Sequence, residues 1–428
     1  MRKMKTKLKR FLFIFLYRFL FFPIFIVLLP YYLLRMIKRG GYKACFYHRF
    51  GFLPKNDQKN TLWLQAVSVG ELEALQPFLE ALQQKKIPVY LTTTTSTGFQ
   101  IAQKKYASLV SHIAYFPLDF WLFSKLAWHR IQPSMAILME SELWPEHLRQ
   151  AYKHKVPVYL INGRCSDKTF KHYSKIPGIA KILLSYITKI FAASQLDADR
   201  FKQLCPSLMK IETTGNLKVD AALQHLSQDL NVIQRSELGK SWEEATILLG
   251  ASTWDGEEKL LAEVYLEAKK EFKNLKLLLV PRHAERGESV FSSLQSYSDK
   301  ICLRTAPIED ADIYIANTTG ELKYFIQLAD LVFVGKSTGN NFGGQTPIES
   351  AAAGKPIVYG SHMENFRAIC KNLEQAKGAC RCLDEDSVKN QLMAWLKNPQ
   401  NAIQYGQAAK QWAHDNFGAT QRIIEKLF

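Results

Sequence analysis

From residue 61 onward, short apolar segments rich in β-branched and aromatic residues alternate with longer segments of helical periodicity. This alternation is typical of parallel β-sheets built from strand–helix units, in which each strand is buried on both faces. Five strands are predicted in the first half, at residues 62–67, 89–93, 135–139, 158–161 and 190–193. Five more are predicted in the second half, at residues 247–250, 277–280, 312–315, 331–334 and 357–359. The pattern therefore predicts an α/β protein with two doubly wound, Rossmann-like domains.

The predicted domains are separated by a weakly patterned stretch at residues 214–241, rich in Gln, Asp and Lys, which we interpret as a linker. We assign residues 1–45 to an N-terminal anchor, residues 46–220 to a first domain and residues 221–428 to a second. The two domains are of similar size, and we expect them to face each other across a cleft. The last helical run, residues 401–428, can pack on either domain.

The N-terminal segment has the composition of a membrane anchor. Residues 11–34 form a 24-residue run that is apolar apart from Arg18 and contains Pro23 and Pro30. A run of this length can cross the ~30 Å hydrocarbon layer of a bilayer. The run is too long for a cleaved signal peptide, and no small-residue cleavage site follows it. We therefore expect a retained anchor, which either spans the membrane or lies in its interface; the alternative is a buried core helix.

The positive charge of the chain is concentrated around this apolar run. Residues 1–49 contain twelve Lys or Arg and no Asp or Glu, which leaves +5 of the +17 net charge for the other 379 residues. A local excess of this kind favours anionic headgroups as its partner and argues against a nucleic-acid-binding surface. The seven cysteines are scattered and indicate free thiols in a reducing compartment.

Acidic residues follow two of the predicted strands in the first half. Glu71 lies in the first turn of the helix after strand 62–67, where a carboxylate can accept a proton from a substrate hydroxyl. The alternative is that Ser68 and Glu71 form only a capping box. Glu140 and Glu142 follow strand 135–139 and are placed to orient Glu71 or to offset positive charge on a sugar; otherwise they are ordinary loop carboxylates.

Two basic residues are further candidates in the first half. Arg164 ends the strand at 158–161 and is either a contact for an anionic acceptor or a surface arginine. Lys218 lies at the predicted domain junction, where it either approaches a leaving phosphate or is solvated.

The second half contains turns suited to a nucleotide. A glycine-rich loop at residues 338–344 leads to Thr346, a predicted N-cap, with Pro347 at the first helical position and Glu349 at the third. Loop amides would bind phosphate and Glu349 would bind ribose hydroxyls; the alternative is that Glu349 only completes a capping box. Residues 250–257 have the shape of a weak phosphate loop. Arg282 and a Ser/Thr-x-x-Glu turn ending at Glu321 also follow predicted strands.

These segments occur together in a known family. They are QAVSVGE (65–71), LMESELWP (138–145), TGNLKVD (214–220), PRH (281–283), TTGEL (318–322), GGQTPIESAAAGKP (343–356) and YGSHMENF (359–366). In this order, and with the basic and apolar N-terminus, the chain resembles the 3-deoxy-D-manno-octulosonic acid (Kdo) transferases of lipopolysaccharide synthesis over nearly its whole length.

The resemblance implies a GT-B fold, CMP-Kdo as the donor and the lipid A precursor lipid IVA as the acceptor, at the cytoplasmic side of the bacterial inner membrane. It implies that Glu71 is the general base of an inverting reaction and that Glu140 and Lys218 support the transition state. The implied CMP-binding residues are Pro281, Arg282, Thr319, Gly320, Glu321, Thr346, Pro347, Ile348 and Glu349. The resemblance implies no metal or other cofactor.

Two segments depart from the family pattern. The usual D-T-M-G-E-L is N-T-T-G-E-L here, and the usual G-G-H-N-P-L-E is G-G-Q-T-P-I-E. These departures affect the nucleotide contacts more than the reaction. The alternative functions are another GT-B nucleotide-sugar enzyme, such as a UDP-sugar transferase or an epimerase, and a non-catalytic, membrane-anchored nucleotide-binding protein.

Overall fold

The computed structural model describes residues 2–39, 44–207, 210–228, 233–306 and 310–428. The chain folds into two compact units. Unit 1 comprises Met1–Ala221 and Gly418–Phe428, and unit 2 comprises Ala222–Phe417. Each unit contains a seven-stranded sheet in which the paired strands are parallel. The predicted α/β class with two doubly wound domains is confirmed.

The sheet of unit 1 has the strand order β3-β2-β1-β4-β5-β6-β7. Its strands are β1 (Leu62–Ala66), β2 (Val89–Thr93), β3 (His112–Tyr115), β4 (Met135–Met139), β5 (Val158–Gly163), β6 (Lys189–Ala192) and β7 (Ile211–Thr213). Strand β1 pairs with β2 on one side and with β4 on the other, so the winding of the chain reverses between β1 and β4. Open α/β sheets bind ligands at the carboxyl ends of the strands that flank such a switch point.

Helices cover both faces of this sheet. They are α1 (Arg2–Arg39), α2 (Val69–Gln84), α3 (Ser96–Lys105), α4 (Trp121–Ile131), α5 (Pro145–His154), α6 (Asp167–Lys175), α7 (Pro177–Leu184), α8 (Gln195–Leu204) and α9 (Leu217–Gln228). Strand β1 is buried along its whole length and is apolar apart from Gln65. Trp63 belongs to the core on one face of the sheet, and Leu62 and Leu64 belong to the core on the other.

The sheet of unit 2 has the strand order β10-β11-β9-β8-β12-β13-β14. Its strands are β8 (Thr246–Thr253), β9 (Leu275–Pro281), β10 (Ile301–Leu303), β11 (Ile313–Ile315), β12 (Leu331–Val334), β13 (Ile357–Tyr359) and β14 (Ala379–Arg381). Its helices are α10 (Glu257–Ala268), α11 (Gly287–Leu294), α12 (Leu322–Leu328), α13 (Ile348–Ala352), α14 (Arg367–Gln375), α15 (Glu385–Lys397) and α16 (Pro399–Asp415). The winding reverses between β8 and β12, which defines the switch point of this unit.

The predicted final helical run is divided into two helices. Gly418 has a φ of +95°, where glycine is favoured, and separates α16 from α17 (Ala419–Leu427). The Asp220 carboxylate accepts hydrogen bonds from the backbone N–H groups of Gly418, Ala419 and Thr420. The start of α17 is thereby held against α9, and α17 completes the core beneath α2 in unit 1.

Part of the predicted linker is helical. The boundary between the two units, at Ala221 and Ala222, lies inside the predicted linker of residues 214–241, but residues 217–228 of that stretch form α9. Its first turns are buried: Leu217 belongs to the core of unit 1, and Asp220 is held by the amides that begin α17. These contacts are distant in sequence, so the polar composition of the stretch did not reveal them.

Helix α1 contains the predicted anchor run, although residues 1 and 40–43 of the predicted anchor lie outside the described residues. Within the described part of the chain, no single unbroken helix has the length and apolar composition needed to cross a membrane. Two consecutive stretches, Arg10–Phe21 and Pro23–Tyr31, meet those requirements only when taken together, and they are bent by 41° relative to each other.

Candidate active site

Glu71 lies at the start of α2, directly after β1. The Glu71 N–H donates to Ser68 Oγ at 3.3 Å, and the Val67 N–H donates to Glu71 Oε2 at 2.8 Å. Ser68 Oγ also lies 3.3 Å from Glu71 Oε1. The Ser68 half of the predicted capping box is therefore present, whereas the Glu71 carboxylate accepts the Val67 N–H in place of the Ser68 N–H. These contacts fix the carboxylate at the carboxyl edge of the sheet.

The surroundings of Glu71 change its acidity. Burial raises the pKa of Glu71 to about 7, and repulsion from the Glu140 carboxylate adds to the increase. The Val67 N–H and the Lys218 ammonium lower the pKa but do not cancel the effect of burial. A pKa near the working pH is what a general base requires, because the group is then both available and basic. Glu71 thus has the chemistry of a proton acceptor as well as the geometry of a cap.

Glu140 follows β4 and is the centre of a charged cluster. Lys218 Nζ lies 2.9 Å from Glu140 Oε1, and Arg164 Nη1 lies 3.2 Å from Glu140 Oε2. Burial on its own would raise the pKa of Glu140, but Lys218 and Arg164 outweigh it and hold the pKa below its ordinary value. Glu140 is therefore ionised at neutral pH. Arg164, considered from the sequence as an acceptor contact, is a partner of Glu140.

Two residues in this region have left-handed backbone conformations that are costly for residues other than glycine. Glu140 has a φ of +53° and Asn162, at the end of β5, a φ of +49°. Asn162 Oδ1 accepts the Leu217 N–H at 3.1 Å, which positions the start of α9 and with it Lys218. Such conformations cost about 1–3 kcal/mol each and are concentrated at functional sites. Sequence reasoning missed Asn162 as a positioning residue, although an Asn-Gly pair at a strand end is a signal for this conformation.

The predicted catalytic residues of unit 1 are brought together. Glu71 follows β1 and Glu140 follows β4, the two strands that flank the switch point. Lys218 reaches Glu140 from α9, although 78 residues separate them. A third carboxylate, Glu142, lies nearby; burial and then repulsion from Glu140 raise its pKa. The result is a proton acceptor beside a fixed carboxylate–ammonium pair.

In unit 2, one buried carboxylate links the loops that flank the switch point. Glu257 accepts hydrogen bonds from the N–H groups of Trp254, Lys336 and Ser337, each at 2.8 Å, and of Thr338, at 3.2 Å. Burial raises the pKa of Glu257, although these four amides favour its ionised form. The phosphate-loop interpretation of residues 250–257 is therefore wrong for Trp254, because the Trp254 N–H donates its hydrogen bond to the Glu257 carboxylate.

The same two loops approach each other closely at Gly335. A Cβ atom at this position would lie 2.4 Å from the Ser252 carbonyl oxygen and 2.8 Å from Glu257 Oε2. Both distances are shorter than van der Waals contact, so this position requires glycine. The close approach fixes the spacing of the β8 and β12 loops at the edge of the sheet.

The residues predicted to bind CMP after β9 and β11 differ in exposure. Pro281 is the last residue of β9. The Arg282 N–H donates to the Thr253 carbonyl, and the Arg282 side chain is exposed at the edge of the sheet. Thr319 and Gly320 form an exposed turn in which Gly320 has a φ of +92°.

Glu321 immediately precedes α12 and is engaged within the protein. Its Oε1 lies 3.2 Å from Arg304 Nη2, and the Thr318 hydroxyl donates to its Oε2. Sequence reasoning missed Arg304, which follows the short strand β10, since no local pattern marks it as a partner of Glu321.

The glycine-rich loop before α13 differs from its prediction in two ways. The helix begins at Ile348, so Pro347 is the N-cap; the assignment of Thr346 as N-cap and Pro347 as first helical residue is wrong by one position. The Thr346 hydroxyl nevertheless accepts the Ile348 N–H at 3.3 Å. Glu349 lies in the first turn of this helix.

Two of the loop N–H groups that the sequence analysis assigned to phosphate binding donate hydrogen bonds within the protein. The Gly343 N–H donates to Glu364 Oε2 at 2.8 Å, and the Gly344 N–H donates to the Lys336 carbonyl at 2.9 Å. The predicted nucleotide groups at residues 281–282, 319–321 and 346–349 follow β9, β11 and β12. Because the carboxyl ends of parallel strands meet at one edge, all three groups lie on the same edge of the unit 2 sheet.

Among the described residues, no group of three or more His, Cys, Asp or Glu side chains is arranged to hold a metal ion. The expectation that no metal takes part stays a prediction. The described residues include all seven cysteines, and they form no disulfide.

Comparison with known proteins gives the same family as the motifs. The family model described as 3-deoxy-D-manno-octulosonic-acid transferase (kdotransferase) matches residues 45–221. The 3-deoxy-D-manno-octulosonic acid transferase of Haemophilus influenzae is 28% identical over 401 residues, which cover 91% of this chain and 92% of that protein. That of Bordetella pertussis is 29% identical over 380 residues, which cover 86% of each chain.

The fold is similar to that of solved nucleotide-sugar enzymes. UDP-GlcNAc 2-epimerase from Neisseria meningitidis matches with a TM-score of 0.61 and 15% identity over 86% of this chain and 99% of that chain. At this identity the match shows the fold alone, and the predicted GT-B-like α/β architecture is confirmed. Together with the two matching enzymes, these findings confirm the resemblance stated from the sequence: over most of its length, the chain is similar to the 3-deoxy-D-manno-octulosonic acid (Kdo) transferases.

Proposed function

We propose that this protein is an inverting glycosyltransferase that moves Kdo from CMP-Kdo to the lipid A precursor lipid IVA in lipopolysaccharide synthesis. The homology over most of the chain supports Kdo transfer as the reaction. The observation that carries the mechanism is the position of Glu71: a buried carboxylate with a pKa of about 7, at the switch point of unit 1, beside the Glu140–Lys218 ion pair.

In the proposed reaction, the Glu71 carboxylate takes the proton of an acceptor hydroxyl. The hydroxyl oxygen forms a bond to the anomeric carbon of Kdo while the bond from that carbon to the phosphate oxygen of CMP breaks. The electron pair of the broken bond leaves on the phosphate, and the proton remains on Glu71. One positioned base is sufficient because the phosphate is already a good leaving group.

The Glu140 cluster has a separate part in this proposal. The ammonium of Lys218 and the guanidinium of Arg164 fix the Glu140 carboxylate in its ionised form. A fixed negative charge stabilises an oxocarbenium-like sugar in the transition state. The same charge keeps Glu71 basic. We further propose that residues 281–282, 319–321 and 346–349 of unit 2 bind CMP.

The reaction is tested by incubating the purified full-length chain with CMP-Kdo and lipid IVA and measuring the mass of the lipid. We expect one or more increments of the Kdo residue mass. Parallel incubations with UDP-sugars test the alternative enzyme class. Transfer from a UDP-sugar, or tighter binding of UDP than of CMP, would contradict the proposed donor, and an unchanged lipid mass with CMP-Kdo would contradict the reaction.

Helix α1 supports membrane association by the way it packs on unit 1. Two polar side chains in the middle of α1 face the protein. Arg18 forms two hydrogen bonds to the buried Glu146 carboxylate, at 2.8 and 3.1 Å. The Tyr17 hydroxyl donates to Asp119 Oδ2 at 2.8 Å. Arg18, the residue that weakens a simple membrane span, is thus neutralised by a partner in the same unit.

The outward side of α1 is apolar. Its exposed large hydrophobic residues are Leu8, Phe11, Leu12, Phe15, Leu16, Phe19, Leu20, Ile24, Ile26, Val27, Leu28, Tyr31 and Leu34. A helix with polar residues toward the protein and apolar residues outward requires an apolar medium. We propose that α1 lies along unit 1 and inserts this face into the cytoplasmic leaflet of the inner membrane. The basic residues at both ends of the run would contact anionic headgroups.

Replacing Phe15 and Phe19 together by Gln is expected to weaken binding to anionic phospholipid vesicles by about 100-fold or more, since each buried Phe contributes about 1.5–3 kcal/mol. The two side chains are 62% and 68% exposed, so the fold should be retained. Vesicle co-sedimentation measures the effect. The matched control is Leu383→Gln in unit 2, an 80% exposed apolar residue, which should bind as the wild type does. Equal vesicle binding by the double variant would contradict membrane insertion of this face.

A further inference from the structure

The switch point of unit 2 is flanked by the side chains of Trp254 and Lys336, and no sequence motif identified Lys336. Trp254 directly follows β8, and Lys336 lies two residues after the end of β12. These are the strands between which the winding reverses, and ligands of doubly wound sheets bind outside the carboxyl ends of such strands. The Lys336 ammonium lies 4.4 Å from the centroid of the Trp254 ring.

The backbone of Lys336 is held in an unfavourable conformation. Its φ is +59°, in the left-handed region that glycine adopts without cost. The Lys336 N–H donates to Glu257 Oε2 at 2.8 Å, and its carbonyl accepts the Gly344 N–H at 2.9 Å. A lysine at a strained position, with both backbone groups fixed, is the kind of outlier that accompanies a functional role.

The charges around Lys336 leave its ammonium available. Glu257 lies close to the Lys336 backbone, but its two oxygens accept the four loop amides. Within the described part of the chain, no carboxylate lies within ion-pair distance of Lys336 Nζ. The Lys336 ammonium lies over the face of the Trp254 ring. Trp254 in turn packs edge-on against His283, with the ring centroids 5.4 Å apart. An indole face orients a cation without neutralising it.

We infer that the Lys336 ammonium, held by Trp254, binds the phosphate of the nucleotide at the switch point of unit 2. The inference rests on the proposed function, in which a cytidine nucleotide is bound by unit 2. The N–H groups of residues 336–338 and of Trp254 donate to the Glu257 carboxylate, so they are not available to bind a phosphate. At this edge of the sheet, the group available to a phosphate is the Lys336 ammonium. A charge-assisted contact with the phosphate would also stabilise CMP as it leaves.

Lys336→Gly tests this role with little risk to the fold. Glycine adopts a φ of +59° freely, so the variant removes the ammonium while the loop keeps its path. We expect CMP binding to weaken about tenfold or more, cytidine binding to stay unchanged, and Tm to be equal or higher. Calorimetric titration of the full-length protein with CMP and with cytidine, together with thermal unfolding, measures all three.

The matched control is Lys377→Gly. Lys377 also belongs to unit 2 and has a φ of +55°, but it is exposed beyond the end of α14. This variant makes the same substitution in the same backbone conformation, so it reports the effect of glycine alone. CMP and cytidine should bind to it as to the wild type.

Three outcomes with Lys336→Gly would overturn the inference. Unchanged CMP binding would show that Lys336 does not contact the phosphate. Equal weakening of CMP and cytidine binding would show that Lys336 acts only by maintaining the structure of the loop. Unchanged CMP binding with a raised KM for CMP-Kdo would indicate that the Lys336 ammonium binds the carboxylate of the sugar and not the phosphate. In each case the wild type still binds CMP, so the proposed function stands. A wild type that binds neither ligand would overturn the proposed donor and this inference together.

Discussion

Glu71→Gln is expected to lower the rate of transfer by about 10²- to 10⁴-fold, the usual contribution of a general base. Glutamine keeps a carbonyl oxygen that can accept the Val67 N–H, so the start of α2 should be preserved, but it cannot take a proton. CMP binding should be retained because no predicted nucleotide residue is changed. Single-turnover transfer and CMP titration measure the two effects separately.

The same residue predicts a pH dependence. Because burial, with repulsion from Glu140, raises the pKa of Glu71 to about 7, the carboxylate becomes protonated as the pH falls through that value. A protonated base is inactive, so the transfer rate should decrease about tenfold per unit below pH 7 and level off above it. Glu73→Gln, a change at a more exposed carboxylate of α2, should keep the wild-type profile. A wild-type profile or unchanged turnover in Glu71→Gln would remove Glu71 from the proposed role.

Glu140→Gln is expected to destabilise the protein and to shift the pH profile. The substitution leaves Lys218 and Arg164 without their shared carboxylate. Breaking a buried ion pair costs about 3–5 kcal/mol, and we expect about 3 kcal/mol because the Glu140 side chain is 17% exposed. The pKa of Glu71 should fall, because the repulsion from Glu140 is removed while the attraction of Lys218 remains. The acidic limb of the rate profile should therefore move to lower pH.

Chemical denaturation and the pH profile of transfer measure these two effects. Adding Lys218→Met to Glu140→Gln should restore part of the stability, because the double variant lacks the Lys218 ammonium and leaves only Arg164 without its carboxylate. Glu212→Gln is the matched control: it breaks the Lys189–Glu212 pair, whose carboxylate is 37% exposed, and should cost at most about 1 kcal/mol. Wild-type stability in Glu140→Gln would contradict the cluster described here.

The candidate catalytic carboxylates of unit 1 could be predicted from the sequence because each follows a recognisable strand. Glu140 comes directly after the buried strand β4, and Glu71 lies in the first turn of the helix that follows the buried strand β1. The carboxyl ends of parallel strands share an edge. The partners of these residues could not be predicted in the same way. Arg164 reaches Glu140 across 24 residues and Lys218 across 78, and no periodicity in the sequence encodes either pairing.

The candidate nucleotide-binding residues of unit 2 show the same difference between what could and could not be predicted. The sequence indicated glycine-rich turns and the residues predicted to bind CMP. It did not reveal that Glu257 accepts the amides of a loop about 80 residues away, or that Glu321 is held by Arg304. Lys336 was missed because a left-handed lysine has no sequence signature, whereas an asparagine or glycine at the same position would have suggested one.

The sequence by itself determined the class of the fold and the ten inner strands, because a strand covered on both faces is mostly apolar along its length. The four strands it did not reveal, β3, β7, β10 and β14, are the outermost strands of the two sheets. Each has only three or four residues and is incompletely buried, so its conformation depends on the ladder of its neighbour. Tertiary structure also decided that α17 belongs to unit 1, through Asp220, and that Arg18 of α1 pairs with Glu146. These pairings join residues more than 100 positions apart, and only the folded chain brings them within hydrogen-bonding distance.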